Sequence, residues 1–252
     1  MTKLIMLGAV CALALTACNK ATDNATAPAA VTPAAAPGPV APPANGDWTT
    51  TVSETPEGGY LKGNPNAAVK LIEYGALSCP HCAHFSHDSH DELEAMIKTG
   101  KISYELRPFL VHPQLDLAAT LLARCSGPAT FFPLADQFFA RQDDWMGEAK
   151  FKTLTPAVQQ AWASMTPNQL AADVATRLDL VTFVGQRGIS ADKAKACLAD
   201  KAGVDKLNAL VTNAESQYHV NGTPTFILNG SVLADVNDWA GLKPKLKAVL
   251  GG

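Results

Sequence analysis

Three absences narrow the protein classes that fit this chain of 252 residues. A basic excess is absent, because 20 Lys and Arg face 23 Asp and Glu for a formal net charge of -3, and this argues against a nucleic-acid-binding protein. A GxxxxGKS or GxxxxGKT motif is absent, which argues against a nucleotide-binding P-loop. A collagenous or wholly disordered composition is absent too, since 47% of the residues are hydrophobic.

Long hydrophobic runs are also scarce. Residues 4–15, which follow Lys3, form an apolar run of about 12 residues, whereas a membrane-spanning helix needs roughly 20. Such a run is typical of the hydrophobic region of an export signal. It ends in the sequence LTAC at residues 15–18, which resembles a bacterial lipoprotein lipobox and implies cleavage after residue 17 with acylation of Cys18. The alternative is ordinary secretory cleavage, which would leave Cys18 as a free thiol.

The next segment has little that could pack into a core. Residues 21–46 contain ten Ala and six Pro, no aromatic residue and a single charge at Asp23. This composition favours an extended polyproline II chain. The sequence therefore predicts a lipoprotein signal peptide at residues 1–17, a lipid-anchored Ala/Pro-rich linker at residues 18–46 and a folded domain at residues 47–252.

The first part of the folded domain has the pattern of a βαβ unit. Residues 49–52 fit a short edge strand, and residues 68–74 fit a buried strand. Between residues 79 and 98, apolar side chains recur at helical spacing, and residues 102–106 alternate as a second strand would. Because a helix separates these two buried strands, we expect them to be parallel.

The rest of the domain begins with a long helical block. From about residue 113 to residue 218 the pattern is helical throughout, with one helix expected over residues 170–185. Asn229-Gly230 is a typical hairpin turn between two strands. The elements predicted after the block are strands at residues 225–228 and 231–234 and a helix at residues 239–250. The order predicts an α/β fold with a helical insertion.

The strongest local motif is Cys79-Pro80-His81-Cys82, at the junction of a predicted strand and helix. Two cysteines at this spacing can form a disulfide across the first helical turn, and Pro80 suits the first helical position. The unpaired N–H groups of the helix N-terminus stabilise a thiolate at Cys79. His81 adds a donor, and a cation when protonated, which lowers the Cys79 pKa further. Cys82, one turn in and more buried, is expected to be the resolving thiol.

A CxxC motif alone could instead be half of a zinc site. A second CxxC is absent from the sequence, since the other cysteines after the predicted signal peptide and linker, Cys125 and Cys197, are single and distant. His81, His84, His87 and His90 recur at every third position and could bind a metal weakly, but a solvated polar helix face explains them better. We therefore predict no metal site.

A second motif, Gly222-Thr223-Pro224-Thr225, lies just before the predicted strand at residues 225–228. Together with CPHC on a βαβ unit, it makes residues 59–252 resemble the DsbA family of periplasmic thiol–disulfide oxidoreductases, within the thioredoxin superfamily. The resemblance implies a thioredoxin fold with the helical insertion between its βαβ and ββα halves. It also implies that Pro224 is cis and lies against Cys79 and Cys82, and that the Thr223 backbone pairs with an extended substrate.

The resemblance also assigns a role to Glu73, which stands where family members carry a buried acid below the disulfide. Such a carboxyl has a raised pKa and could relay a proton to or from Cys82. The alternative is a glutamate at the strand end that faces solvent. The lysine that some members place on the next strand is not evident, and Tyr104 is the nearest equivalent. Thr223 is a second departure, because oxidising members typically carry valine there and threonine is common in reductases and isomerases.

The remaining cysteines lie on apolar helix faces of the insertion. In an oxidising compartment Cys125 and Cys197 are expected to form a structural disulfide, the alternative being two buried thiols. The large aromatic residues of the same block are expected to be mostly core. These are Phe131, Phe132, Phe138, Phe139, Trp145 and Trp162.

From these features we predict an enzyme that introduces disulfides into exported proteins in the bacterial periplasm, held at a membrane by a lipid on Cys18. Its partners would be exported proteins with cysteine thiols and a DsbB-like or DsbD-like membrane redox protein, and no cofactor is expected. A disulfide reductase or isomerase of the same fold is the enzymatic alternative. A metal-binding or chaperone-like lipoprotein is the non-enzymatic one.

Overall fold

The computed structural model describes residues 41–44 and 46–251, so the predicted signal peptide, Cys18 and most of the linker lie outside the described residues. The edge strand expected at residues 49–52 is wrong in position. Trp48–Thr50 is a 3₁₀ turn, because the Asp47 carboxylate accepts the backbone N–H of Thr49 and caps it. The strand follows this turn at Val52–Glu54.

The described residues form a six-stranded mixed sheet. In chain order its strands are β1 (Val52–Glu54), β2 (Tyr60–Gly63), β3 (Val69–Gly75), β4 (Ile102–Pro108), β5 (Thr225–Leu228) and β6 (Ser231–Val232). Across the sheet their order is β1-β2-β4-β3-β5-β6. The central strands β3 and β4 are parallel, as predicted, and the other neighbouring pairs are antiparallel. The strand β2 was not predicted, and the last strand is shorter than expected.

Helices cover both faces of this sheet. On one face α1 (Pro80–Lys98) and α11 (Trp239–Leu250) enclose an apolar cluster in which the ring of Phe85 lies 4.6 Å from that of Phe226 and 6.3 Å from that of Trp239. On the other face α10 (Lys201–Tyr218) packs against Tyr74 and Ile227. The predicted order βαβ, helical block, ββα is therefore confirmed, and at its front the displaced edge strand β1 pairs with the unpredicted β2.

The helical insertion between β4 and β5 holds most of the remaining core. The helix expected at residues 170–185 is wrong as one element, because Asp179 adopts a left-handed conformation with φ 54° and separates two helices. All six large aromatic residues predicted for this core are buried. The helices are α2 (Pro113–Ala123), α3 (Pro128–Ala140), α4 (Gln142–Met146), α5 (Glu148–Phe151), α6 (Pro156–Trp162), α7 (Pro167–Arg177), α8 (Leu180–Gly185), α9 (Ala191–Leu198) and α10.

A disulfide joins Cys125 and Cys197 across the insertion, which confirms that prediction. Cys125 follows α2 and Cys197 lies in α9, with 5.5 Å between their Cα atoms. Aromatic stacking connects the insertion to the sheet, since the rings of Tyr60 on β2 and Phe131 on α3 are 3.8 Å apart. Among the described residues, no helix is both long enough and apolar enough to cross a bilayer.

Candidate active site

The chain turns sharply from β3 into α1, and this turn carries the two cysteines of the CPHC motif. Cys79 is the N-cap of α1, with φ -82° and ψ 120°, and Pro80 follows at the first helical position, as predicted. Cys82 lies one turn further on and is completely buried, whereas Cys79 keeps 5% of its surface exposed. Both are free thiols in this structure. Cys79 is therefore the more accessible cysteine of the pair.

The surroundings of Cys79 favour its thiolate. Its pKa is lowered from 9.0 to about 5, first by a hydrogen bond from the Cys82 thiol, against the opposing effect of burial. The hydroxyl of Thr223 and the backbone N–H groups of Cys82 and His81 lower it further. These N–H groups belong to the first turn of α1, where the positive end of the helix dipole acts. Position at the helix N-terminus thus accounts for part of this acidity.

The contribution of His81 comes from its backbone N–H, and its imidazole is exposed to solvent. The rings of His81 and His84 meet edge to face at 6.4 Å, and the His87 ring contacts the exposed Asp88 at 2.9 Å. Within the described part of the chain, no group of three or more His, Cys, Asp or Glu residues could hold a metal ion. The histidines therefore have the arrangement of a solvated helix face.

Cys82 has the opposite character. Burial raises its pKa well above 9.0, and the hydrogen bond it gives to Cys79 and the negative charge of Glu73 raise it further. The two sulfurs of one motif are thus separated into an acidic, reachable thiol and a weakly acidic, enclosed one. Only Cys79 is a thiolate near neutral pH.

The loop before β5 faces Cys79. The peptide bond between Thr223 and Pro224 is cis, as the resemblance implied, and the Cys79 thiol donates a hydrogen bond to the Thr223 carbonyl oxygen at 3.3 Å. The hydroxyl of Thr223 is buried and has no hydrogen-bond partner among the described residues in this thiol form. It is therefore available to donate to the Cys79 thiolate, which agrees with its lowering of that pKa.

Glu73 lies on β3 beneath the cysteines and is 1% exposed, so it does not face solvent. Burial raises its pKa from 4.5 to about 8, although the hydrogen bond from the Tyr104 hydroxyl opposes this rise. The Tyr104 hydroxyl on β4 donates to Oε2 at 2.5 Å. In the described part of the chain, no group is aligned to donate a full hydrogen bond to Oε1. Near neutral pH the carboxyl is mostly protonated and can exchange that proton.

Space for this carboxyl comes from Gly75, two residues along the same strand. A Cβ atom at position 75 would lie 2.8 Å from Glu73 Oε1 and 2.9 Å from Leu106 Cδ1, closer than van der Waals contact permits. The backbone of Gly75 is an ordinary part of β3 paired with Pro108. A side chain at position 75 would therefore force the Glu73 carboxyl or the Leu106 methyl group to shift.

Sequence reasoning missed four polar residues that surround the turn before Cys79. Ser78 belongs to this turn itself, whereas the other three lie dozens of residues further along the chain, and no spacing or motif connects those three with CPHC. The one available sign was an acidic residue within the first turn of the helix predicted from about residue 113. The four residues are Ser78, His112, Asp116 and Gln142.

A family model described as thioredoxin matches residues 55–248 of this chain. The chain belongs to the thioredoxin family. The crystal structure of a protein-disulfide isomerase from Novosphingobium aromaticivorans is similar, with 34% identity and a TM-score of 0.71, covering 76% of this chain and 97% of that one. Wolbachia pipientis alpha-DsbA1 shares the fold at 19% identity and a TM-score of 0.61, covering 79% and 94%. The thioredoxin fold with a DsbA-like helical insertion is thereby confirmed.

Several curated relatives of this thioredoxin-family chain come from Rickettsia species. A protein of Rickettsia bellii, provisionally named a protein-disulfide oxidoreductase, is 29% identical over 177 residues, which are 69% of this chain and 58% of that protein. A protein of Rickettsia conorii with the same provisional name is 31% identical over 176 residues, or 67% and 52%. The chain thus spans little more than half the length of these relatives.

Proposed function

We propose that this protein is a thiol:disulfide oxidoreductase that oxidises cysteine pairs of exported proteins through Cys79 and Cys82. One observation carries the proposal: two neighbouring thiols whose pKa values are driven apart, that of Cys79 to about 5 and that of Cys82 well above 9.0. A stable Cys79 thiolate favours the reduced form, so the disulfide form is a strong oxidant. The names and folds of the relatives support the same class of chemistry.

The first step is thiol–disulfide exchange at Cys79. A substrate thiolate attacks Cys79 Sγ in the oxidised pair, a substrate–Cys79 bond forms, and the Cys79–Cys82 bond breaks. Cys82 leaves with both electrons of that bond as a thiolate. Because its pKa is raised, it is a poor leaving group, and the protonated carboxyl of Glu73 supplies the proton that it takes up.

The second step releases the product. A second thiolate of the substrate attacks the substrate sulfur of the mixed disulfide, and Cys79 leaves as the stabilised thiolate. Two electrons have then passed from the substrate thiols to the cysteine pair, and the substrate carries a new disulfide. Return to the starting state requires a disulfide or quinone-linked membrane oxidant, for which we propose a DsbB-like partner.

Substrate recognition is proposed to use backbone pairing at Thr223. Its carbonyl oxygen lies 3.3 Å from Cys79 Sγ, next to the cis bond to Pro224. An extended substrate segment that pairs with this residue would bring its cysteine to the reachable sulfur. Backbone pairing tolerates many sequences, as an enzyme with varied exported clients requires.

A reductase or isomerase of the same fold is the second candidate. It is favoured by the hydroxyl of Thr223 beside Cys79 and by the isomerase named among the similar solved structures. Such an enzyme would be kept reduced, for example by a DsbD-like partner. The two candidates share the cysteine pair and differ in its redox potential.

Equilibration of the full chain with glutathione buffers tests the direction of the reaction. If the protein is an oxidase, we expect a reduction potential of about -120 mV. A reductase would have a potential of about -270 mV, and an isomerase an intermediate value of about -180 mV. Oxidation of a dithiol peptide and refolding of a protein with scrambled disulfides, measured in parallel, separate the oxidase from the isomerase. Failure to exchange any disulfide would overturn the whole proposal.

A metal-binding or chaperone-like lipoprotein remains the non-enzymatic alternative. It would require metal bound through Cys79 and Cys82 or the histidines of α1, among which the described structure holds no suitable group of three. Metal analysis of the purified protein beside its Cys79→Ser variant decides the matter. A stoichiometric metal that is lost in the variant would favour this alternative.

The cellular location is proposed from the N-terminal sequence. A lipobox ending at Cys18 and a Pro-rich linker would hold the domain in the bacterial periplasm, anchored to a membrane. Fractionation of cells that express the parent and a Cys18→Ala variant tests this. Lipidation at Cys18 predicts release of the variant from the membrane fraction, and an unchanged distribution would contradict it.

A further inference from the structure

Two side chains of the helical insertion form hydrogen bonds with the turn that leads into Cys79, from two directions. On one side Asp116, in the first turns of α2, accepts the backbone N–H of Ser78 through Oδ1 at 2.9 Å. Its Oδ2 accepts the Ser78 hydroxyl at 2.9 Å and the backbone N–H of His112 at 2.8 Å. One carboxylate thus holds both donors of the residue that adjoins Cys79.

On the other side Gln142, at the start of α4, donates hydrogen bonds to carbonyl oxygens of the same turn. Its side-chain Nε2 donates to the carbonyl oxygen of Leu77 at 2.8 Å and to that of Cys79 at 3.0 Å. Asp116 therefore accepts hydrogen bonds from the donors of the turn, and Gln142 donates hydrogen bonds to two of its carbonyl oxygens. Three consecutive residues, 77 to 79, are fixed by two side chains that lie 38 and 63 residues further along the chain.

These contacts are shielded from water. Ser78 and Asp116 are both fully buried at 0% exposure, so breaking one of their hydrogen bonds would leave a buried polar group without a partner. Burial raises the pKa of Asp116 to about 6, against the hydrogen bonds from His112 and Ser78. Near neutral pH it remains mostly a carboxylate, able to accept all three donors at once.

The Ser78, His112 and Asp116 side chains do not form a hydrolytic triad. The single proton of the Ser78 hydroxyl goes to Asp116, so His112 Nδ1, 2.8 Å from that hydroxyl, donates to it. The Ser78 hydroxyl is fully buried and accepts a hydrogen bond from His112, whereas a nucleophilic serine would donate its proton to the histidine. The group is built to hold a conformation.

We propose that Asp116 and Gln142 are positioning residues that set the reactivity of Cys79 by holding residues 77–79 in place, an inference that rests on the proposed function. The Cys79 thiolate is stabilised by the N–H groups of His81 and Cys82, and such stabilisation is confined to the first helical turn. A turn released from the insertion lets Sγ move away from those groups. The insertion therefore tunes the sulfur chemistry of the thioredoxin-like half.

Two variants test this in the full chain. Gln142→Leu removes both donations to the turn, and Asp116→Asn replaces one acceptor oxygen by a donor that faces the Ser78 hydroxyl and the His112 N–H. The Cys79 pKa is read from thiolate ultraviolet absorbance and from the pH profile of alkylation by iodoacetamide. We expect each variant to raise this pKa by about one unit, and to shift the equilibrium with glutathione about tenfold, or ~30 mV, towards a weaker oxidant.

Two matched controls carry the same substitutions elsewhere in the insertion. Gln159→Leu removes a donation from Nε2 to the Leu154 carbonyl at 2.9 Å, and Asp173→Asn alters a carboxylate that accepts the Trp162 indole N–H at 2.7 Å. Both can lower the melting temperature. We expect neither to change the Cys79 pKa, because neither side chain binds residues 77–79.

If Asp116→Asn does not fold, Ser78→Ala and Gln142→Leu decide. Unchanged Cys79 pKa values in the folded variants, with a lower melting temperature alone, would reduce Asp116 and Gln142 to a structural role and overturn the inference. That result leaves the proposed function intact if the parent still exchanges disulfides. A parent that exchanges none fails the proposed function whatever the variants show.

Discussion

The two cysteine pairs of this chain place the same sulfur chemistry in opposite surroundings. Cys79 and Cys82 are separated by two residues at the N-terminus of α1 and are free thiols, whereas Cys125 and Cys197 are 72 positions apart and bonded. The first pair has N–H groups, a hydroxyl and a buried carboxyl around it. The second pair has only backbone carbonyl oxygens near its sulfurs among the contacts of the described residues.

The difference shows that reactivity comes from the neighbours of a sulfur. A thiol becomes a good nucleophile and leaving group when fixed donors stabilise its anion, and Cys79 has several. A disulfide without such donors serves as a covalent cross-link that limits the unfolded chain. Five expected results, from the largest effect to the smallest, can break or sharpen this contrast.

Removal of the reactive sulfur should have the largest effect. Cys79→Ser is expected to lose disulfide exchange down to the uncatalysed background, because no other thiol of the described domain is both free and reachable. The measurement is the rate of oxidation of a dithiol peptide. Retained activity in this variant would contradict every redox function proposed for the pair.

Removal of the structural disulfide should cost stability and spare the chemistry. The double variant Cys125→Ser/Cys197→Ser opens a loop of 72 residues, and the chain-entropy relation gives a loss of about 4 kcal/mol in the free energy of unfolding. Urea unfolding of the variant and the parent measures this loss. The Cys79 pKa should not move, and a marked rise in it would show that the two pairs are coupled.

Loss of the buried acid should slow exchange without abolishing it. Glu73→Gln cannot protonate the departing Cys82 thiolate, so the first step should slow by about 100-fold, the lower range of general acid catalysis. Stopped-flow measurement of mixed-disulfide formation reports this step. The matched control is Glu105→Gln on β4, a buried glutamate paired with Arg107, and an equal slowing there would refute the relay.

The same variant should change how stability depends on pH. The folded protein keeps a proton on Glu73 up to about pH 8, whereas the unfolded chain releases it near pH 4.5. The contribution of this group to the free energy of unfolding is therefore fully present below pH 4.5 and is lost as the pH rises through 8. Compared with the parent, reduced Glu73→Gln should lose less stability in this window, by up to roughly 1.4 kcal/mol per pH unit. Parallel pH curves would contradict the raised pKa.

The smallest effect is expected from the hydroxyl beside Cys79. Thr223→Val removes one donor to the thiolate and should raise the Cys79 pKa by about one unit, the equivalent of a charged hydrogen bond of ~1.5 kcal/mol. Thr225→Val is the control, because its hydroxyl donates to the Gly222 carbonyl at 2.8 Å and not to the sulfur. Equal Cys79 pKa values in the two variants would remove Thr223 from the stabilising set.

Local patterns predicted much of the fold. The central βαβ unit follows from an apolar strand, a helical stripe and an alternating strand in direct succession, and all three form. The strand β2 escaped prediction because its four residues, YLKG, are buried at the ends and half-exposed between, without strand alternation. The break at Asp179 escaped because no Gly or Pro marks its left-handed conformation.

Some features of the candidate active site could be predicted from the sequence, and others could not. The acidic Cys79 follows from its place at the start of a helix, and the approach of Pro224 follows from the family resemblance. The roles of Asp116 and Gln142 could not be predicted, because most of their partners are backbone groups, which no sequence pattern marks. Contacts to backbone across dozens of residues depend on the finished tertiary packing.

The lack of a side chain at Gly75 in β3 affects the proton affinity of Glu73. A methyl group at position 75 would collide with Glu73 Oε1. The buried position of this carboxyl therefore depends on Gly75 having no side chain. A Gly75→Ala substitution would act as an electrostatic perturbation, pushing the carboxyl towards Tyr104 or towards the sulfurs while leaving the strand's hydrogen bonds intact. The smallest residue of the strand thereby influences the acidity of a buried carboxyl two positions away.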